Sequence, residues 1–347
     1  MKNISEIDKN FKIETNIQKD DIRFYNVKSE PFAIYGVFHE GGKFRRMPEA
    51  AAKAVSPGVY ALHSNTAGGR IRFRTNSPYI AISVKMPSIG KMSHFALCGS
   101  AGFDLYVNGT HTYSYQPPFD ITDGYEGIYN LPDAKMRDIL INFPLYSDVS
   151  EMHIGLSDNA EVLAPTPYTH PKPMVFYGSS VTQGGCASRP GTAYQGFVSR
   201  ELDADFINLG FSGNARAEEA MYNYIKTLDM SVFVFDYDYN SPSIEHLEAT
   251  HEKMFLAIRE AQPELPVVFM TAPKAVLSYQ YKTRCEIIRK TYTNAIARGD
   301  KNVYFIDGPT LMALCGTEGT VDCTHPTDLG FFSMARALID VLKNILK

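Results

Sequence analysis

The sequence predicts two folds in tandem. Residues 1–165 read as a β-sandwich of jelly-roll-like type, and residues 174–347 as a three-layer α/β domain on a parallel sheet. Three observations carry this reading. The first half alternates polar and apolar residues at period two, the second half alternates strands with amphipathic helices, and a proline-rich stretch divides them. A chain of 347 residues is long enough to bury two cores.

Taken in order, the first clear strands are 70–74 (RIRFR) and 79–85 (YIAISVK), whose alternation suits one buried face. Similar runs follow at 103–107, 111–115, 138–143 and 151–155. Turn signals separate them at Asn108-Gly109, Pro117-Pro118 and Asp123-Gly124. Many short strands with no long amphipathic helix between them favour a sandwich. Residues 164–173 hold four prolines, so 166–173 is expected to be a stiff linker that continues neither sheet nor helix. Strands are then expected at 174–177, 206–209, 232–235, 266–270 and 303–306. Helices are expected at about 192–202, 215–228, 243–261, 280–297 and 327–346. In the last of these, Phe331, Ala335, Leu338, Leu342 and Ile345 share one stripe. Such a sheet gathers its site residues just past the carboxyl ends of its strands.

Composition narrows the function. Apolar residues make up 44% and charged residues 21%, with a net charge of −4. No basic excess is present to neutralise phosphates, which argues against a nucleic-acid partner. No apolar run approaches the roughly 20 residues of a membrane span. The N-terminal stretch is polar without a signal-peptide core, and Cys98, Cys186, Cys285, Cys315 and Cys323 are scattered with no C-x-x-C pair. A cytoplasmic protein with neither a disulfide framework nor a zinc site is expected. The spacing of His39, His63, His94 and His111 implies no metal either.

Four segments after strands could carry chemistry. Gly178-Ser179-Ser180 places a serine on a glycine-bounded turn, where it would be a nucleophile if a base stood near. By itself it reads as a polar strand-end turn or an anion-binding loop. Asn208–Asn214 contains two glycines that let the backbone aim an N–H at a ligand, or else form a simple tight turn. After the third strand comes Asp236-Tyr237-Asp238-Tyr239-Asn240. Asn240 could donate an amide hydrogen bond, while the two aspartates are weak metal candidates or hydrogen-bonded strand-end residues. Asp322-Cys323-Thr324-His325 precedes the last helix, and Asp and His three residues apart can pair so that the carboxylate fixes the imidazole tautomer. The plain alternative is an aspartate cap and a surface histidine.

These blocks together resemble the SGNH (GDSL-like) hydrolase family over about residues 173–347. Gly178-Ser179-Ser180 matches its first block with Ser180 at the nucleophile position, Gly213 its second, and Asp322 and His325 its last. The third block departs, because the family's glycine is missing and Asn240 is the candidate asparagine. Gly102-Phe103-Asp104-Leu105-Tyr106 is similar to the GxDLY signature of a β-rich domain that precedes such esterases. The resemblance implies a serine esterase with Ser180, His325 and Asp322 catalytic. It further implies that the Ser180 and Gly213 N–H groups and the Asn240 amide form the oxyanion hole, with no cofactor and no metal. It also implies carbohydrate acetylesterase activity: removal of short acyl groups from sugars or oligosaccharides. The rival readings are a lipid-type or general short-chain acyl hydrolase and a non-catalytic carbohydrate-binding protein. Oligomeric state, a homo-oligomer included, is left open.

Overall fold

A computed structural model describes residues 15–347, so the first fourteen residues of the polar N-terminal stretch lie outside the described residues. In the first half, two antiparallel sheets face each other. One runs Ile22–Asn26, Glu151–Ser157, Tyr79–Lys85, Gly124–Asn130. The other runs Val162–Leu163, Arg70–Thr75, Arg137–Asn142, Phe103–Val107, Thr110–Tyr115, with Ala33–Tyr35 also paired to Arg70–Thr75. The alternation read in the sequence fills the space between them. Ile71 and Phe73 from one sheet meet Ile80, Ile82 and Val84 from the other, joined by Leu105, Ile139, Ile141 and Ile154. Asn108 and Gly109, at φ 48 and 78, make the tight hairpin between Phe103–Val107 and Thr110–Tyr115.

The second half is a five-stranded parallel sheet. Its strands are β1 (His170–Gly178), β2 (Ala204–Gly210), β3 (Val232–Asp236), β4 (Val267–Met270) and β5 (Val303–Ile306), in the order β2-β1-β3-β4-β5. Its helices are α1 (Ser180–Gln183), α2 (Tyr194–Leu202), α3 (Glu219–Ile225), α4 (Ile244–Ala261), α5 (Tyr279–Ala297), α6 (Gly308–Leu311) and α7 (Asp328–Ile345). Successive strand residues point to opposite faces and sort into two cores. Met174, Phe176, Val232, Val234 and Met270 pack against α2 and α7. Val175, Tyr177, Phe233, Phe235 and Phe269 pack against α3, α4 and α5. Both faces are therefore covered, which explains why these strands are continuous apolar runs.

Two expectations need correction. The linker ends sooner than predicted, because β1 begins at His170 and takes in Pro171 and Pro173. The register slips between His170 and Met174, so the prolines sit where ladder bonds are interrupted, and the Pro173 carbonyl still accepts from the Ser231 N–H. The helix expected at 215–228 is only Glu219–Ile225. Ahead of it the Ala215 and Ala217 N–H groups donate to Asn240 and to the Tyr177 hydroxyl instead of to a helical turn. The first half also carries short helices that the sequence reading did not place. Glu49–Val55 and Pro57–Leu62 form a pair, the second capped by the Ser56 hydroxyl, and Met47, Ala52 and Val59 enter the α3 side of the parallel-sheet core.

Buried polar side chains join the two halves. The Asp104 carboxylate accepts from the Arg189 guanidinium at 3.0 Å, the Gly191 N–H at 2.8 Å and the Asn142 amide at 2.7 Å. Arg70 pairs with Asp205 and stacks 3.9 Å from the Phe206 ring centroid. Arg46, wholly buried, donates to the carbonyls of Gly210 at 2.6 Å and Asn208 at 3.2 Å.

Candidate active site

The site is assembled where β1, β2 and β3 end. Gly178 lies in register with Gly210 on one side and Asp236 on the other, so the turns leaving these three strands are neighbours. Gly178 has no room for a side chain: a Cβ there would stand 1.9 Å from the Asp236 carbonyl oxygen. Ser179 caps α1 by accepting the Val181 N–H at 3.2 Å, and its own N–H donates to the Asp236 carbonyl at 3.0 Å. Ser180 is thereby fixed as the first residue of a four-residue helix. Gly184, at φ 100, ends that helix.

The Asp322–His325 turn closes on itself ahead of α7. The Asp322 Oδ1 accepts the N–H groups of Thr324 at 3.0 Å and His325 at 2.7 Å, and Oδ2 accepts from His325 Nδ1 at 2.8 Å. Partial burial alone would raise this carboxyl. The His325 N–H, the His325 ring and the Thr324 N–H outweigh burial and hold it down at about 2. With Nδ1 donating to Asp322, the Nε2 lone pair is the free one, and it stands 3.0 Å from Ser180 Oγ. The sequence-predicted serine, histidine and aspartate thus meet in one hydrogen-bonded line.

Gly213 sits at φ 70 with nothing within 4 Å of the place a Cβ would take. Its loop is clamped around it. Gln183 accepts the Ser212 N–H at 3.0 Å, Asn208 accepts the Gly210 N–H at 2.9 Å, and Asn214 N–H returns to the Phe211 carbonyl at 2.9 Å. The Ser180 and Gly213 N–H groups are free of acceptors among the described residues. Asn240 closes a 3₁₀ turn after β3, and its Oδ1 accepts the Ala215 N–H at 3.3 Å. That bond ties it to the Gly213 loop and leaves its NH₂ free to donate.

Asp236 and Asp238 are not arranged as metal ligands. Each is buried and engages one protein donor: Thr182 Oγ1 at 3.0 Å for Asp236, and the Ala272 N–H at 2.9 Å for Asp238. Burial pushes Asp236 up to about 8 and Asp238 up to about 6, and the neighbouring Asp238 charge adds to the rise at Asp236. Several residues at the site gave no signal in the sequence. Tyr146 donates its hydroxyl to the Ser180 carbonyl at 3.2 Å, and Gln183 donates to Asn65 at 3.2 Å. The His94 ring lies 5.4 Å from the His325 ring, centroid to centroid. Each comes from a loop, or is bonded to one, that is more than 30 residues away in the chain. No local pattern could therefore have marked it.

A parallel sheet that carries Ser, His and Asp in a hydrogen-bonded line beside free backbone donors has the geometry that acyl transfer requires. Comparison with known proteins agrees. Residues 171–343 match the model of the GDSL-like Lipase/Acylhydrolase family, and residues 22–162 match GxDLY, the N-terminus of Esterase_SGNH_hydro-type. The chain belongs to the GDSL-like (SGNH) acylhydrolase family and is a carboxylic ester hydrolase. A protein from Bacteroides ovatus ATCC 8483 described as a GDSL-like lipase is 28% identical. It superposes with TM-score 0.83, covering 94% of this chain and 98% of that one. The salicylyl-acyltransferase SsfX3 of a tetracycline biosynthetic pathway is 19% identical, with TM-score 0.77 over 94% of this chain and 98% of that one. An active-site mutant of a family two carbohydrate esterase from Clostridium thermocellum is 13% identical, with TM-score 0.63 over 90% and 98%. No curated protein matches the chain in sequence.

Proposed function

We propose that the protein hydrolyses short acyl esters, chiefly O-acetyl groups on sugars or oligosaccharides, with Ser180 as nucleophile. The observation that carries this reading is the Ser180 Oγ–His325 Nε2–His325 Nδ1–Asp322 line, at 3.0 and 2.8 Å. His325 takes the Ser180 proton as Oγ attacks the ester carbonyl. Asp322, ionised throughout the working range, holds the ring and balances the imidazolium. The N–H groups of Ser180 and Gly213 and the Asn240 amide receive the oxyanion, each such donor being worth about 3–4 kcal/mol in the transition state. His325 then protonates the leaving alcohol, and water releases the acyl group along the same path.

The substrate class rests on the company the fold keeps. Structures sharing it include carbohydrate esterases bound to cello-oligosaccharide and an acetyl xylan esterase from Butyrivibrio proteoclasticus. All five cysteines are free, which suits the reducing cytoplasm we propose as its location, and no helix among the described residues is long and apolar enough to cross a membrane. Ser180→Ala should lose at least about three orders of magnitude in kcat/KM on 4-nitrophenyl acetate and all labelling by a fluorophosphonate probe. Activity within a few-fold of wild type would remove Ser180 from the chemistry. A profile over C2 to C12 esters should fall steeply after the shortest chains, and a maximum at long chains would favour a lipid-type hydrolase. No adduct on the wild-type chain would favour a carbohydrate-binding protein.

A further inference from the structure

Beside the nucleophile, the fold brings together three ligand-bearing side chains that are far apart in the sequence. A ring nitrogen of His94, the Sγ of Cys186 and a ring nitrogen of His325 all lie within 4.8 Å of one another. We propose that these three residues form a binding site for a thiophilic divalent cation, Zn²⁺ being the best fit, and that its occupation switches the enzyme off.

Donor chemistry sets the class of ion. Two imidazoles and one thiolate suit Zn²⁺ and exclude Mg²⁺ and Ca²⁺, which demand oxygen. The separation is close to what is needed. Zinc–nitrogen bonds of about 2.0 Å and zinc–sulfur bonds of about 2.3 Å place tetrahedral ligands about 3.5 Å apart, so the site closes by shifts of about 1 Å. His94 is exposed and can supply that movement, whereas Cys186 is buried and fixed. The loop that carries His94 is itself anchored, because the next residue, Phe95, is buried edge-on against Tyr146 at 5.2 Å.

His325 is already prepared as a ligand. Its Nδ1 donates to Asp322, so the nitrogen available to a metal is Nε2, and a carboxylate behind a ligating histidine is the usual supporting contact of a zinc site. Nε2 is also the atom that faces Ser180 Oγ. One lone pair cannot serve both a metal and the serine proton, so binding abolishes the base. On binding, the Cys186 S–H bond breaks, sulfur bonds to the ion as thiolate, and one proton leaves to solvent. Three protein ligands leave the fourth position to water.

The inhibitory consequence rests on the esterase reading, while the binding itself does not. The full-length protein is titrated with buffered free Zn²⁺ while 4-nitrophenyl acetate hydrolysis is followed. In parallel, Co²⁺ is added and the thiolate-to-cobalt charge-transfer band is recorded. Expected is loss of activity reversed by a chelator, a charge-transfer band in wild type, its absence in Cys186→Ser, and an inhibitory concentration at least tenfold higher in Cys186→Ser and in His94→Gln. Inhibition of equal potency in wild type and both variants, or no charge-transfer band in wild type, overturns the proposal. Ser180→Ala should keep the band. A band in a wild-type protein that hydrolyses no ester would sink the esterase reading and leave the metal site standing.

Discussion

Asn240 is the candidate amide of the block that departs from the family pattern. The glycine that normally opens its block is absent, yet the amide is still tied to the Gly213 loop by the 3.3 Å bond from the Ala215 N–H. That bond uses the carbonyl end of the side chain and turns the NH₂ end free. Asn240→Ala should therefore lower kcat by about 10²–10³ with little change in KM, since the oxyanion exists only after attack. Steady-state kinetics on a soluble acetyl ester measures this, and an unchanged kcat would remove Asn240 from the oxyanion hole. Asp322 contributes differently. Its folded value of about 2 lies below the ordinary carboxylate value, so its ionisation stabilises the fold above about pH 4. That contribution is lost only as pH falls through about 2.

At the scale of elements, the turn from β1 to α1 rests on the buried end of β3. Asp236 accepts Thr182 Oγ1 within α1, and its backbone carbonyl accepts the Ser179 N–H. Its carboxyl is pushed up to about 8, chiefly by burial. A raised acid favours the folded state at low pH and costs stability as pH climbs from its unfolded value near 4 toward 8, because the unfolded chain releases the proton first. Each unit of displacement is worth about 1.4 kcal/mol. The melting temperature of wild type should fall across this window, and Asp236→Asn should flatten the fall, as thermal denaturation at a series of pH values will show. An identical slope in the variant would assign the effect to other groups.

The same scale shows what the sequence could tell. The parallel strands and long helices were legible because their apolar periods are strong, and α4, α5 and α7 lie within a residue or two of their expected bounds. The strand Gly124–Asn130 was hidden by its two glycines. Gly127 is small because the Tyr115 ring lies over it, where a Cβ would come within 2.8 Å. The Ala-rich helix Glu49–Val55 was missed for another reason: at seven residues it is too short to show a helical period. Ser180, Gly213, Asn240, Asp322 and His325 each follow a strand or precede a helix, which is why motif spacing singles them out as candidates. Tyr146, His94 and Arg46 reach the site through tertiary packing, which no local pattern encodes.

At the scale of the molecule, the GxDLY signature has a mechanical explanation. Asp104 is fully buried and accepts one charged and two neutral donors, two of the three from the segment 189–191 that follows the nucleophile turn. Tyr106 also takes a bond from Arg189. Removing one member of such a buried group leaves uncompensated charge and unfilled donors, so Asp104→Ala should cost about 3–5 kcal/mol in urea denaturation. A loss below about 1 kcal/mol would mean that the two halves hold together without it.

Arg46 carries the farthest-reaching consequence. Its guanidinium, rooted beside the helix pair of the front half, bonds two carbonyls at the end of β2, the strand that leads into the Gly213 loop. Without the sandwich half, the β2 carbonyls would lose their cation and the α3 flank its cover. The catalytic half made without the front half should therefore unfold at lower urea than the full chain.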